Sequence, residues 1–111
     1  MSDKGNRIYC AGPMTGYKDK NFPAFNKAAE ELRELGWEVI NPVDINPDPE
    51  ADWHECMRKD IAELVTCDAI FMLNGWADSS GATKEHTIAE WLEMDIYYEG
   101  VDYTEEGTDA E

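Results

Sequence analysis

The sequence is poor in positive charge. Lys and Arg together number 9 against 25 Asp and Glu, a formal net charge of −16 over 111 residues. A protein that grips a nucleic-acid backbone needs a basic footprint, and anionic membranes attract polybasic segments. Neither feature is present, so no nucleic acid and no membrane is expected as a partner. Long apolar runs are missing too: nothing approaches the roughly 18 consecutive apolar residues of a membrane-crossing helix. Residues 1–7 are polar, and no secretory leader is expected there. Cysteine is scarce: Cys10, Cys56 and Cys67 form no C-x-x-C pair and are odd in number. Free thiols in a reducing, cytoplasmic compartment follow. No His, Cys and Asp cluster has metal-ligand spacing, so no metal is expected. Gly12-Pro13-Met14-Thr15-Gly16 lacks the Lys-Ser/Thr of a phosphate-binding P-loop.

What is present is a globular composition, 42% hydrophobic, in a chain long enough for one domain. Charge is uneven along it. From Glu99 to Glu111 there are six acids and no base. Residues 99–111 therefore read as an acidic, flexible tail, and residues 1–98 as the folded domain.

Strand and helix signals alternate through that domain. Residues 7–11 read as a strand, 23–35 as a helix with Phe25, Ala28, Ala29, Leu32 and Leu35 on its apolar face, and 37–41 as a strand. Residues 42–52 hold three prolines and read as loop. Residues 53–66 form a second helix, 68–74 a strand buried on both faces, 81–94 a third helix and 96–98 a last strand. This order predicts an α/β fold: a small doubly wound, flavodoxin- or Rossmann-like parallel sheet of four or five strands with helices on both faces. Ligands in such folds bind beyond the carboxyl ends of the strands.

Two carboxylates stand out. On a wheel of the second helix starting at Trp53, Asp60 falls at about 340°, within the arc of Cys56, Met57, Ile61 and Leu64. On a wheel of the third helix starting at Ala82, Glu85 falls at about 300°, between Ile88, Leu92 and Ala89. A carboxylate on a buried face needs a partner or a proton. Asp60 could be an ion-pair member or a loop cap, and Glu85 a first-turn acid favoured by the helix dipole. Position favours function for Glu85, whose helix opens at the carboxyl edge of the sheet. Asp60 lies about two turns into its own helix, so it reaches a site only if the cleft runs down the sheet.

Several residues form motifs. Ile8-Tyr9-Cys10-Ala11-Gly12-Pro13 resembles the opening strand and loop of the nucleoside 2-deoxyribosyltransferase superfamily. Ser79-Ser80-Gly81-Ala82-Thr83-Lys84-Glu85 resembles its segment ending in the nucleophilic Glu, and the Asp60 to Asp68 spacing matches too. Gly12 to Gly16, Met57 to Asp60 and Gly75-Trp76 resemble a short branch common in phage genomes. The resemblance implies that Glu85 attacks the anomeric carbon, that Asp60 holds or protonates the leaving base and that Tyr9 orients Glu85, without any cofactor. It implies a small-molecule nucleotide or nucleoside as ligand, a homo-oligomer (dimer or higher), and the cytoplasm of a bacterium or a phage-infected host. Ser79 stands where deoxyribosyltransferases usually have an Asp, with Asp78 one residue away. Related deoxynucleotide N-hydrolases have a Ser there, which holds the 5′-phosphate. Ser79 and Ser80 with the amides of Gly81 and Ala82 would form such a seat at a helix N-terminus. The same Ser-Ser-Gly is also an ordinary helix cap.

The expected pocket lining is then Gly12, Pro13, Met14, Asn74, Trp76, Asp78, Ser79, Ser80, Gly81 and Ala82. A non-catalytic nucleotide-binding module of the same fold is the competing expectation. A phosphate would also need local positive charge, from Arg7, Lys18 or Lys84; without it an uncharged nucleoside fits better.

Overall fold

A computed structural model describes residues 6–48 and 50–101. Apart from Glu99 to Val101, the acidic tail lies outside the described residues. The structure contains one four-stranded sheet, all parallel, in the order β2-β1-β3-β4. Its strands are β1 (Arg7–Ala11), β2 (Glu38–Ile40), β3 (Ala69–Met72) and β4 (Asp95–Tyr98). The longer helices are α1 (Phe22–Glu34), α3 (Trp53–Leu64) and α4 (Ser80–Trp91). The doubly wound α/β fold expected from the alternation is present.

The strand pleat sorts the core into two layers. Ile8 and Cys10 of β1 pack with Phe25, Ala28, Ala29 and Leu32 of α1 on one face. Tyr9 and Ala11 point the other way, into a cluster with Leu64, Ile70, Met72, Ala82 and Ala89. Side chains alternate across a strand, so Tyr9 belongs to the face covered by α3 and α4. That placement decides which residues the tyrosine can meet.

The chain leaves β1 toward β2 on one side and reaches β3 on the other. The strand order therefore reverses between β1 and β3. Such a switch point opens a crevice at the carboxyl ends of the two strands. Gly12 stands where β1 ends. A Cβ built there would lie 2.7 Å from Cβ of Leu73, so the backbones of the two strand ends approach too closely for any larger residue.

Three details differ from the sequence reading. Residues 42–45 are not loop but a short helix, α2 (Pro42–Ile45). Asn41 caps it by accepting the Val43 N–H at 3.1 Å, and Pro42 opens its first turn, where a missing N–H costs nothing. Leu35 is not on the buried face: α1 ends at Glu34, Gly36 follows with φ +101°, and Leu35 is 76% exposed. Leu92 likewise caps α4 and is half-exposed, because the chain turns at Glu93 with φ +57° to enter β4.

Candidate active site

A cavity of about 420 Å³ sits at the β1 switch point. Its floor is Tyr9 and Ala11, and its walls come from the segments after β1 and α2, from α3 and from the first turns of α4. This volume suits a small organic ligand.

Asp60 and Glu85 both line it. Asp60 is 8% exposed and Glu85 5%. The α4 cap explains the depth of Glu85. Ser79 is the N-cap, its Oγ accepting the Ala82 N–H at 3.2 Å. Glu85 is therefore not in the first turn but in the second, one turn below the rim. Asp60 is similarly two turns into α3, whose N-cap Asp52 accepts the Glu55 N–H. Tyr9 lies mid-strand in β1. The three side chains thus meet below the sheet edge, in a cleft that runs down the sheet.

Their contacts are specific. The Tyr9 hydroxyl donates to Oε2 of Glu85 at 2.8 Å. The Asn46 amide donates to Oδ1 of Asp60 at 2.9 Å. No cation pairs with either carboxylate among the described residues. Burial pushes Glu85 up to about 8; the Tyr9 hydrogen bond opposes this and the negative charge of Asp60 adds to it. Burial raises Asp60 to about 7, opposed by its hydrogen bonds to Asn46 and Tyr9. Tyr9 itself is raised well above the usual phenol value, chiefly by burial and then by the two carboxylates. Around neutral pH the carboxyl pair therefore holds a proton that ordinary surface acids would have lost.

The cavity wall contains most of the expected lining. Gly12, Pro13, Met14, Ser79, Ser80, Gly81 and Ala82 all reach it. Asn74, Trp76 and Asp78 do not. Asn74 is exposed, and its backbone N–H donates to Glu99 at 2.8 Å. Trp76 stacks on His86 with ring centroids 4.3 Å apart and an interplanar angle of 14°. His86 in turn bonds the Tyr98 hydroxyl at 2.8 Å, so it is a packed partner on the far side of α4. Asp78 is exposed in the turn after Gly75.

Local positive charge comes from residues the sequence weighed unevenly. Arg7 is held at the opposite, amino end of the sheet by Glu38, Glu63 and Thr66. Lys84 donates to Oγ of Ser80 at 3.0 Å, which brings a cation to the cavity rim. Lys20 lines the cavity directly, whereas Lys18 does not. Asp19, Lys20 and Asn21 all have positive φ, and Asn21 donates to the Pro13 carbonyl at 2.9 Å. That left-handed turn presents Lys20 to the pocket, and no periodic pattern foretells it. Asn46, Asp48 and Trp53 were missed for the same reason: they line the cavity from irregular segments or a helix start.

The Ala82 amide, expected in a phosphate seat, is already taken by the Ser79 cap. The Gly81 amide has no partner among the described residues. No group of three or more His, Cys, Asp or Glu is placed to hold a metal among the described residues. Buried Cys10 is pushed up to about 12 and Cys67 to about 11, chiefly by burial, so both are unreactive thiols.

Fold and site together define a small doubly wound α/β protein whose switch-point cleft holds a buried carboxyl pair. The chain belongs to the family described as a domain of unknown function, DUF4406, whose model matches residues 6–98. No curated protein matches the chain.

Proposed function

We propose that the protein cleaves or transfers the N-glycosidic bond of a (deoxy)nucleoside 5′-monophosphate or nucleoside. Its class would be nucleoside deoxyribosyltransferase or deoxynucleotide N-glycosidase. The observation that carries this reading is the buried Tyr9–Glu85 hydrogen bond with Asp60 in the same cavity. Cleavage of a glycosidic bond passes through an oxocarbenium-like state that a carboxylate can trap. Glu85 supplies the oxygen that bonds the anomeric carbon. The bond to the base breaks, its electron pair leaves with the base, and Asp60 supplies a proton to that base. Water, or a second base, then opens the glycosyl ester and restores Glu85.

Lys20 and the Lys84–Ser80 pair support a phosphorylated substrate over an uncharged one. The uncommitted Gly81 amide adds a donor at the start of α4. The three free cysteines suit a reducing cytoplasm, bacterial or of a phage-infected host. Among the described residues no helix is long and apolar enough to cross a membrane. Exposed Trp91, beside Ile61 and Ile88 in a shallow groove, supports a homo-oligomer, which light scattering would test.

One observation favours a second reading, a non-catalytic nucleotide-binding or sensing module. Burial raises Glu85 to about 8, which favours its protonated form at neutral pH, and a protonated carboxyl is no nucleophile. Incubation of the pure protein with the four deoxynucleoside monophosphates separates the two. Free base, lost in Glu85→Ala, is the result expected of the enzyme. Intact ligand bound with no base released would establish the module instead.

A further inference from the structure

Asp60 has two carboxyl oxygens, and only one of them can present a proton to a leaving base. The geometry around Asn46 decides which. Asn46 follows α2 directly, and its backbone N–H closes that helix on the Pro42 carbonyl at 2.8 Å. The helix is anchored from below by Asn41, which is 3% exposed. The Asn41 amide donates to Oδ1 of Asn26 on α1 at 3.0 Å while its carbonyl oxygen caps α2. Asn26, Asn41 and α2 therefore form a hydrogen-bonded support that ends in the Asn46 side chain. From there the amide N–H reaches Oδ1 of Asp60.

We infer that Asn46 is a positioning residue that fixes the proton of Asp60 on Oδ2. An amide NH2 only donates, so the Asp60 oxygen it meets must accept. A proton on Oδ1 would place two donors face to face, and it therefore belongs on Oδ2. In the opposite orientation the Asn46 carbonyl would accept from a proton on Oδ1; Asn46→Ala would then lower the Asp60 midpoint, and that result would overturn the inference. Asn46 thus selects both the protonated oxygen and the direction in which the acid faces.

Other groups face Asp60 from every side. Tyr9 lies against it from β1 and Glu85 from α4. Cys56 stands one turn earlier on α3 itself, and Asp48 and Lys20 line the same cavity. Among these, Asn46 is the partner that donates to Asp60 without being able to lose a proton. Its catalytic meaning rests on the glycosidic reading, but its hold on Asp60 does not.

The test is a carbon-13 NMR titration of carboxyl-labelled protein, with the Asp60 signal assigned by its loss in Asp60→Asn. Asn46→Ala removes the donor and should raise the Asp60 midpoint by about one pH unit. Asn46→Asp is nearly isosteric, so it keeps the packing while turning a donor into a like charge. It should raise the midpoint further than Asn46→Ala. An unmoved Asp60 midpoint in both variants would overturn the inference. Where base is released, the bell-shaped rate profile should move up in pH with the midpoint. A slower rate with an unmoved profile would mean a merely structural role and would equally overturn it. Absence of base release from the wild type sinks the glycosidic reading alone, since the titration is read on the protein without substrate.

Discussion

Tyr9 gives its one hydroxyl proton to Oε2 of Glu85, yet the same phenol lies against Asp60. A single donor therefore stands between two buried acids whose charges repel. With Asp60 at about 7 and Glu85 at about 8, the pair carries one shared proton in the interval between those values. The proposed reaction needs that same proton count with the proton on Asp60; these values put it mainly on Glu85, so the reactive arrangement is the minor share of the one-proton pair. Below the interval both groups are protonated and the nucleophile is lost. Above it both are ionised and the acid is lost. Base release should therefore follow a bell-shaped pH profile with its maximum between about 7 and 8. Initial rates measured across the neutral range check this. A rate that rises steadily toward low pH would contradict it.

Burial of Glu85 also makes a prediction about stability that needs no substrate. Its folded value of about 8 lies above the ordinary 4.5, so over that window the folded protein binds the proton more tightly than the unfolded chain. Its contribution is fully present below about 4.5 and is lost as pH rises through about 8. Glu85→Gln keeps the shape and cannot ionise. The variant should gain stability relative to the wild type as pH rises, by an amount on the order of a few kcal/mol at the alkaline end. Urea unfolding at mildly acidic and mildly alkaline pH measures it. An equal difference at both would mean that Glu85 titrates normally in the fold.

How far the sequence disclosed this site follows from how each residue reaches it. Asp60 and Glu85 were legible because a regular helix fixes the direction of every side chain, and an acid within an apolar arc contradicts its surroundings. Even so, the wheel could not give depth: the Ser79 cap sets the start of α4 and so puts Glu85 a turn below the rim. Leu35 and Leu92 were misplaced because a wheel assumes the helix continues, whereas both are caps before a left-handed residue. Lys20 and Asn46 left no periodic trace, since a left-handed turn and the end of a one-turn helix aim them. Trp76 was attractive as an exposed-loop aromatic, but its stacking on His86 depends on a pairing distant in sequence.

The closeness of β1 and β3 at the cavity floor can be tested at Gly12. Ala there would put its Cβ 2.7 Å from Leu73 Cβ, below any ordinary contact. Leu73 is buried and cannot move away freely. Gly12→Ala should cost roughly 1–3 kcal/mol of stability by overpacking. The denaturant midpoint reads the loss. A midpoint equal to wild type would show that the two strand ends part easily. Gly16, whose Cβ would meet nothing within 4 Å but whose φ is +87°, serves as the comparison for backbone strain without crowding.

Charge at the cavity rim distinguishes a phosphorylated substrate from a plain nucleoside. The acidic body repels a phosphate, and among the described residues Lys20 and the Lys84–Ser80 contact offset that repulsion locally. Lys84 is in the second turn of α4, with its ammonium folded back onto Ser80 near the helix N-terminus, so a phosphate there would meet a cation and the unpaired Gly81 amide together. Lys84→Met and Lys20→Met keep the apolar stems and remove the charges. Each should weaken use of a deoxynucleoside 5′-monophosphate by roughly tenfold in kcat/KM, the effect of one charge-assisted contact. Use of the matching deoxynucleoside should change little, because it carries nothing for the ammonium to hold. The difference between the two substrates should also shrink as salt rises, since partly exposed charges are screened. Equal losses on both substrates would mean that the lysines support the fold of the rim instead. No loss on either would leave the cavity without a phosphate seat and make the uncharged nucleoside the substrate.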